Sequence, residues 1–240
     1  MTTDSDEPIT DVGAHYGRSR QRIQALLRNA PAGAAAQRVA ACPGWSVHDV
    51  IAHLVGVIED AAAGRLSGVP TEALTAAQVA RHTATPLDTL LDQWDVLGPV
   101  FQIRLTELRI WPALFDVLTH EHDIRTALQQ PGARDVDSVR IAADLLRQGL
   151  HAGTEIRVVF TDLGEMTPTV VDDQLDELDR TFRLTTTPFE FFRLRMGRRS
   201  ADQVEAMQWS RNPTPVLHQL FVFGPAVAPL VEDIFNTNPS

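Results

Sequence analysis

The sequence predicts a mainly α-helical protein that ends in a smaller α+β domain, and three observations carry that expectation. Apolar residues recur at i, i+3, i+4 spacing through the first half, as in Val47, Val50, Ile51, Leu54, Val55 and Ile58. The run Q-Q-P-G-A-R at 129–134 breaks this texture. Beyond it two short runs rich in β-branched and aromatic residues, 156–162 and 180–186, alternate with helical stretches. A four-helix bundle over residues 1–130 and a small α+β domain over 135–240 follow, consistent with 240 residues exceeding one average domain.

In chain order, residues 9–29 give a first helix that stops near Pro31. The next start is marked by a turn at Pro43-Gly44, Ser46 as N-cap and Asp49 three residues on. Trp45 is placed to staple onto Val50. This second helix runs from Val47 to about Ala63. A Gly/Pro/Thr-rich connection over 64–84 precedes a third helix from Thr85-Pro86-Leu87-Asp88 to Leu108, with Thr85 as cap and Pro86 in the first helical position. The fourth, Ile110 to Gln129, has Pro112 in its first turn and is apolar almost all round. After the break, 136–152 reads as a helix, followed by the two strands, helices capped by Thr187 and Ser200, and a last helix from Thr214-Pro215 through Phe221.

Composition narrows the function classes. The formal net charge of −10 argues against a nucleic-acid partner, because phosphate needs a basic patch. No run approaches the roughly 20 apolar residues of a membrane span, and the acidic start M-T-T-D-S-D-E-P is unlike a secretory signal. A cytoplasmic location is expected. All 21 basic residues are arginine, which excludes Schiff-base and Walker-lysine chemistry. Cys42, alone, forms no internal disulfide and reads as a small buried residue. Neither G-x-S-x-G, a Gly-rich phosphate loop nor C-x-x-C is present. Any enzymatic chemistry is then expected to run through a metal.

The fourth helix offers the donors for one. At about 3.6 residues per turn, Asp116, His120 and Asp123 share a stripe with Val117 and Ile124. Ionisable groups among apolar ones need a partner. An Asp and a His at i, i+4 can grip one ion, and His53 on the second helix can complete a His₂-carboxylate set. His53 lies at the edge of its helix's apolar stripe, so burial is expected more for Asp116 and His120 than for His53. Asp123 suits either an acceptor that orients a ligand histidine or a bond within its own turn. Glu121 and Arg125 read as a surface ion pair. In the second domain Arg193, Arg195, Arg198 and Arg199 fall within seven residues, a cluster suited to an anionic ligand or to ion pairs with the acidic run D-D-Q-L-D-E-L-D.

Together these motifs resemble a known family. C-P-G-W-S-V-H-D-V-I-A-H-L at 42–54 and D-V-L-T-H-E-H-D-I-R-T-A-L at 116–128 are similar to the two metal motifs of the mycothiol-dependent maleylpyruvate isomerase family, a DinB-like metal-binding four-helix bundle. F-E-F-F-R-L-R-M-G-R-R-S-A-D-Q-V at 189–204 resembles its C-terminal domain, which is sterol-carrier-like. The resemblance implies a divalent metal, usually Zn²⁺, on His53, Asp116 and His120, with Asp123 behind them. It implies mycothiol as thiol cosubstrate and a small electrophile as substrate. It also implies an arginine holding carboxylates in a cleft between the domains, Arg198 first, then Arg193 and Arg199. One position departs, since the isomerase of this family carries Glu where this chain has Asp116, one methylene shorter, which moves the expected metal position. Three readings stand: a metal- and mycothiol-dependent isomerase or S-transferase, a non-haem iron enzyme on the same bundle, and a non-catalytic ligand-binding protein with a structural metal. Oligomeric state is not legible.

Overall fold

In the computed structural model, which describes residues 11–66, 70–161 and 181–232, the helix starts follow from local capping chemistry. Helix α1 (Val12–Arg28) begins where Asp11 accepts a hydrogen bond from the Ala14 amide. Helix α2 (Val47–Ala62) has a full capping box: Ser46 Oγ accepts from the Asp49 amide, and Asp49 accepts from the Ser46 amide. Helix α4 (Leu87–Leu108) starts one residue later than the sequence suggests, with Pro86 itself as the N-cap residue and no side-chain cap. Helix α5 (Trp111–Ala127) carries Pro112 in its first turn, where no intrahelical N–H is missed.

The chain divides into two units, Met1–Gly132 and Ala133–Ser240. In the first, α1 packs on α4 and α5, and α2 packs on the same two helices. Their shared core holds Val50, Ile51, Leu91, Trp94, Leu114 and Leu118, all fully buried. Burial of each such side chain stabilises by about 1.5–3 kcal/mol. α1 and α4 approach closely at Gly13, where an added Cβ would stand 2.1 Å from the Gln102 carbonyl oxygen.

Two expectations change here. The connection over 64–84 contains a further helix, α3 (Glu72–Arg81), packed against α2. Its only buried residue is Gln78, so it has no apolar stripe for periodicity to detect. Glu121 is not at the surface. Its carboxylate is fully buried and accepts from Ser19 Oγ at 2.5 Å, from Arg22 at 2.7 and 2.8 Å, and from Arg125 at 3.0 and 3.1 Å. The charge is tolerated because two guanidiniums and a hydroxyl satisfy it.

In the second unit, α6 (Asp137–Gly153) packs on α7 (Pro188–Arg195) and on strand β1 (Ile156–Phe160). β1 pairs in parallel with β2 (Phe182–Thr186), and β2 pairs antiparallel with the two-residue β3 (Gln208–Trp209). Thr187 caps α7, and Ser200 with Gln203 forms a capping box on α8 (Ala201–Glu205). The expected last helix is reduced to a 3₁₀ turn at Leu217–Gln219. The acidic run at 172–179 lies outside the described residues. Among the described residues, no helix is long and apolar enough to cross a membrane.

Candidate metal centre

α2 and α5 face each other across the first unit, and each brings a histidine inward. His53 is 5% exposed and His120 is 6% exposed, whereas the Asp116 side chain keeps 32% of its surface. This reverses the expected order: His53 is buried and Asp116 is the open member. The reason is α3, which covers the edge of α2 that the helical wheel leaves bare.

One ligating atom from each of His53, Asp116 and His120 lies within 4.8 Å of the others. His53 Nε2 is 3.4 Å from both Asp116 carboxylate oxygens, and His120 Nε2 is 3.5 Å from Asp116 Oδ1. The two imidazoles stand edge to face, centroids 5.2 Å apart. The Trp45 indole flanks both, at 5.3 Å from His53 and 6.3 Å from His120. Trp45 therefore sits beside the two histidines.

Hydrogen bonds behind the rings decide which nitrogen faces forward. Asp60, on α2, is a carboxylate and accepts only. It receives Gln78 Nε2 at 2.8 Å, so the Gln78 Oε1 end must face His53, whose Nδ1 is 2.8 Å away. Nδ1 then carries a proton, and in the neutral ring Nε2 carries the lone pair. On α5, Asp123 Oδ2 accepts from His120 Nδ1 at 3.1 Å, which leaves the His120 Nε2 lone pair forward as well. With both rings neutral, the contacts among the three atoms are acceptor to acceptor, an arrangement that a cation between them completes. Two imidazole nitrogens and a carboxylate fit a borderline divalent metal such as zinc, and also iron(II).

Around this centre, Asp60 is buried with Arg65 and Arg81 donating to it. Burial pushes its carboxyl up, but bonds from Arg81, Gln78 and Arg65 outweigh that and hold it at about 2. Burial raises the Tyr16 phenol above its ordinary value, and the Asp116 charge adds to the rise. Cys42 is half-buried with Sγ 3.6 Å from Asp123 Oδ2, and Cys42, His120 and Asp123 form a second group of ligating atoms within 4.8 Å. Cys42 is therefore next to the centre. Gln78 and Asp60 are the residues that sequence reasoning missed. The Thr71-Glu72 cap preceding α3 was the available signal.

The arginine cluster lies in the second unit. Arg193 is fully buried and paired with Glu232. Arg199 donates to Glu190 at 2.8 Å through two nitrogens and lies 2.8 Å from Glu232. Arg198 is half-buried, with one guanidinium nitrogen donating to the Met196 carbonyl.

Residues 16–112 match the family model described as mycothiol maleylpyruvate isomerase N-terminal domain. No curated protein and no solved structure matches the chain. The matched segment includes His53 and Gln78 and ends before Asp116 and His120, which rest on geometry.

Proposed function

We propose that the chain, whose residues 16–112 match the model described as mycothiol maleylpyruvate isomerase N-terminal domain, is a member of that family and a divalent-metal-dependent enzyme using a low-molecular-weight thiol, mycothiol, as cosubstrate. His53, Asp116 and His120 would hold the metal, zinc by its donor set. The observation that carries this reading is the convergence of two imidazole Nε2 atoms on one carboxylate. A bound cation there would favour thiolate over thiol near neutral pH, and the thiolate is the nucleophile.

The chain's own groups supply the rest. Gln78 and Asp123 hold the two rings in the tautomer that presents Nε2. Asp116, the more exposed of the three, leaves the open side for a small thiol. Trp45 shields the rings from water on its side. The favoured reaction is isomerisation of a cis alkene conjugated to a carbonyl, as in maleylpyruvate. The sulfur forms a C–S bond to one alkene carbon and the electron pair moves into the carbonyl. Rotation about the new single bond follows, and expulsion of the same thiolate restores the alkene in trans form. S-transfer is the variant in which the C–S bond is kept and the carbanion is protonated. Arg198 is the arginine we assign to a substrate carboxylate, because the run 189–204 that carries it resembles the family's C-terminal domain.

Because the donor set also suits non-haem iron(II), the test separates the two metals. Metal analysis of the purified protein, followed by calorimetric titration with mycothiol, is expected to give stoichiometric zinc and saturable thiol binding. Oxygen-sensitive iron would favour the second enzyme class, and retained metal with no thiol binding would favour a structural metal. If wild type and His120→Ala hold the same negligible amount of metal, both metal-dependent enzyme readings fail. Arg198→Ala is expected to raise KM for a carboxylate substrate. Unchanged kinetics would remove it from the assignment.

A further inference from the structure

Helix α3 is an unusual element for a bundle, since the one residue it buries between Glu72 and Arg81 is a glutamine. Its attachment to α2 includes a set of polar contacts: Gln78 and Arg81 to Asp60, and His82 to Glu59 at 3.1 Å. α2 makes room for it at Gly56, where a Cβ would stand 2.7 Å from Gln78 Cβ and 3.2 Å from Gln78 Cα. The close approach therefore brings an amide, rather than an apolar side chain, against the back of His53.

The order of donors and acceptors in this chain of contacts is fixed at its far end. Arg65 and Arg81 can only donate, so Asp60 stays a carboxylate. Asp60 can only accept, so it takes the Gln78 NH₂. The amide cannot then turn round, and its oxygen demands a proton on His53 Nδ1. Without that demand, a neutral His53 could put its proton on Nε2 and donate it to Asp116, 3.4 Å away, which would close the centre to a cation. His120 obtains the same protection from Asp123 on its own helix.

We propose that Gln78, polarised by Asp60, is a positioning residue that locks His53 in the Nδ1–H tautomer and so keeps the metal centre open to a divalent cation. The proposal rests on the reading that His53, Asp116 and His120 bind metal, but its first test does not. With the ring neutral and the protein metal-free, ring-nitrogen NMR shifts of His53 are expected to report Nδ1–H in wild type and to move towards Nε2–H in Gln78→Leu. Asp60 keeps both arginines in that variant, so the fold is expected to survive, which circular dichroism checks.

The second test is affinity for cobalt(II), followed by its visible spectrum, and for zinc by competition. Loss of a group that orients a ligand histidine weakens metal binding about 10–100-fold, and Gln78→Leu is expected to fall in that range. The double variant Gln78→Glu with Asp60→Asn exchanges the two groups: an acceptor still faces His53 Nδ1, and the hydrogen bond behind it is reversed, with the amide at position 60 now the donor. It is expected to restore both the tautomer and most of the affinity. Wild-type His53 protonated at Nε2, or Gln78→Leu with unchanged tautomer and unchanged affinity, would overturn the proposal. Failure of wild type to bind either metal while the tautomer shift occurs would instead sink the metal reading alone.

Discussion

Two groups of buried ionisable residues, one in each unit, make opposite use of burial. In the C-terminal unit, Glu232 lies between Arg193 and Arg199, and Arg199 also holds Glu190. Burial pushes the Glu232 carboxyl up, but the two guanidiniums outweigh it and leave the group below its ordinary value. Donors there face acceptors. In the N-terminal unit, the two Nε2 atoms and the Asp116 carboxylate face one another as acceptors when the rings are neutral, because Gln78 and Asp123 then hold the ring protons at Nδ1. Burial of charge is common to both, so it does not mark a site by itself. What separates them is whether the cluster is complete without a further ion.

The largest expected effect tests that distinction directly. Replacing His53 or His120 with alanine should abolish stoichiometric metal binding, read by metal analysis after dialysis, while circular dichroism stays helical. Arg193→Leu should leave metal content at the wild-type level, since all three proposed ligands belong to the N-terminal unit. Equal metal loss in Arg193→Leu would break the comparison.

The reverse holds for stability. Removing one partner of a buried ion pair leaves an uncompensated charge and costs about 3–5 kcal/mol. Arg193→Leu is expected at the lower end of that range in urea denaturation, because Glu232 keeps Arg199 at 2.8 Å. A loss under about 1 kcal/mol, the range of exposed pairs, would show that the cluster is more solvated than its burial indicates.

How much of this was legible in the sequence depends on the kind of signal. Ser46, Asp49, Thr187 and Ser200 announced their helices because capping is local chemistry. The i, i+4 spacing of Asp116 and His120 announced a shared stripe, and the structure brings His53 to it. α3 was not legible, since a helix that buries a glutamine lacks the periodicity that betrays others. With α3 hidden, His53 looked like an edge residue. Glu121 was misjudged because its partners, Ser19 and Arg22, are 102 and 99 positions away. A pairing across helices leaves no mark in local spacing.

The smallest effect concerns Asp60, which shares features with both clusters. Like Glu232 it is matched by arginines, and like Asp123 it is connected to a histidine of the candidate metal centre, here through Gln78. Its carboxyl stands at about 2 against an ordinary 3.8. A depressed carboxyl means the unfolded chain binds more protons in that window. The resulting stability is fully present above about pH 4 and is lost as pH falls through 3.8 towards 2. The size corresponds to on the order of 2 kcal/mol. Asp60→Asn should therefore destabilise by that amount at neutral pH, and the gap from wild type should narrow on acidification across this window. Arg193→Leu should lower stability alone, whereas Asp60→Asn should also weaken metal binding, because only Asp60 is connected through Gln78 to His53. An Asp60→Asn protein with reduced stability and wild-type cobalt affinity would place Asp60 with the self-neutralised group and confine the positioning role to Gln78.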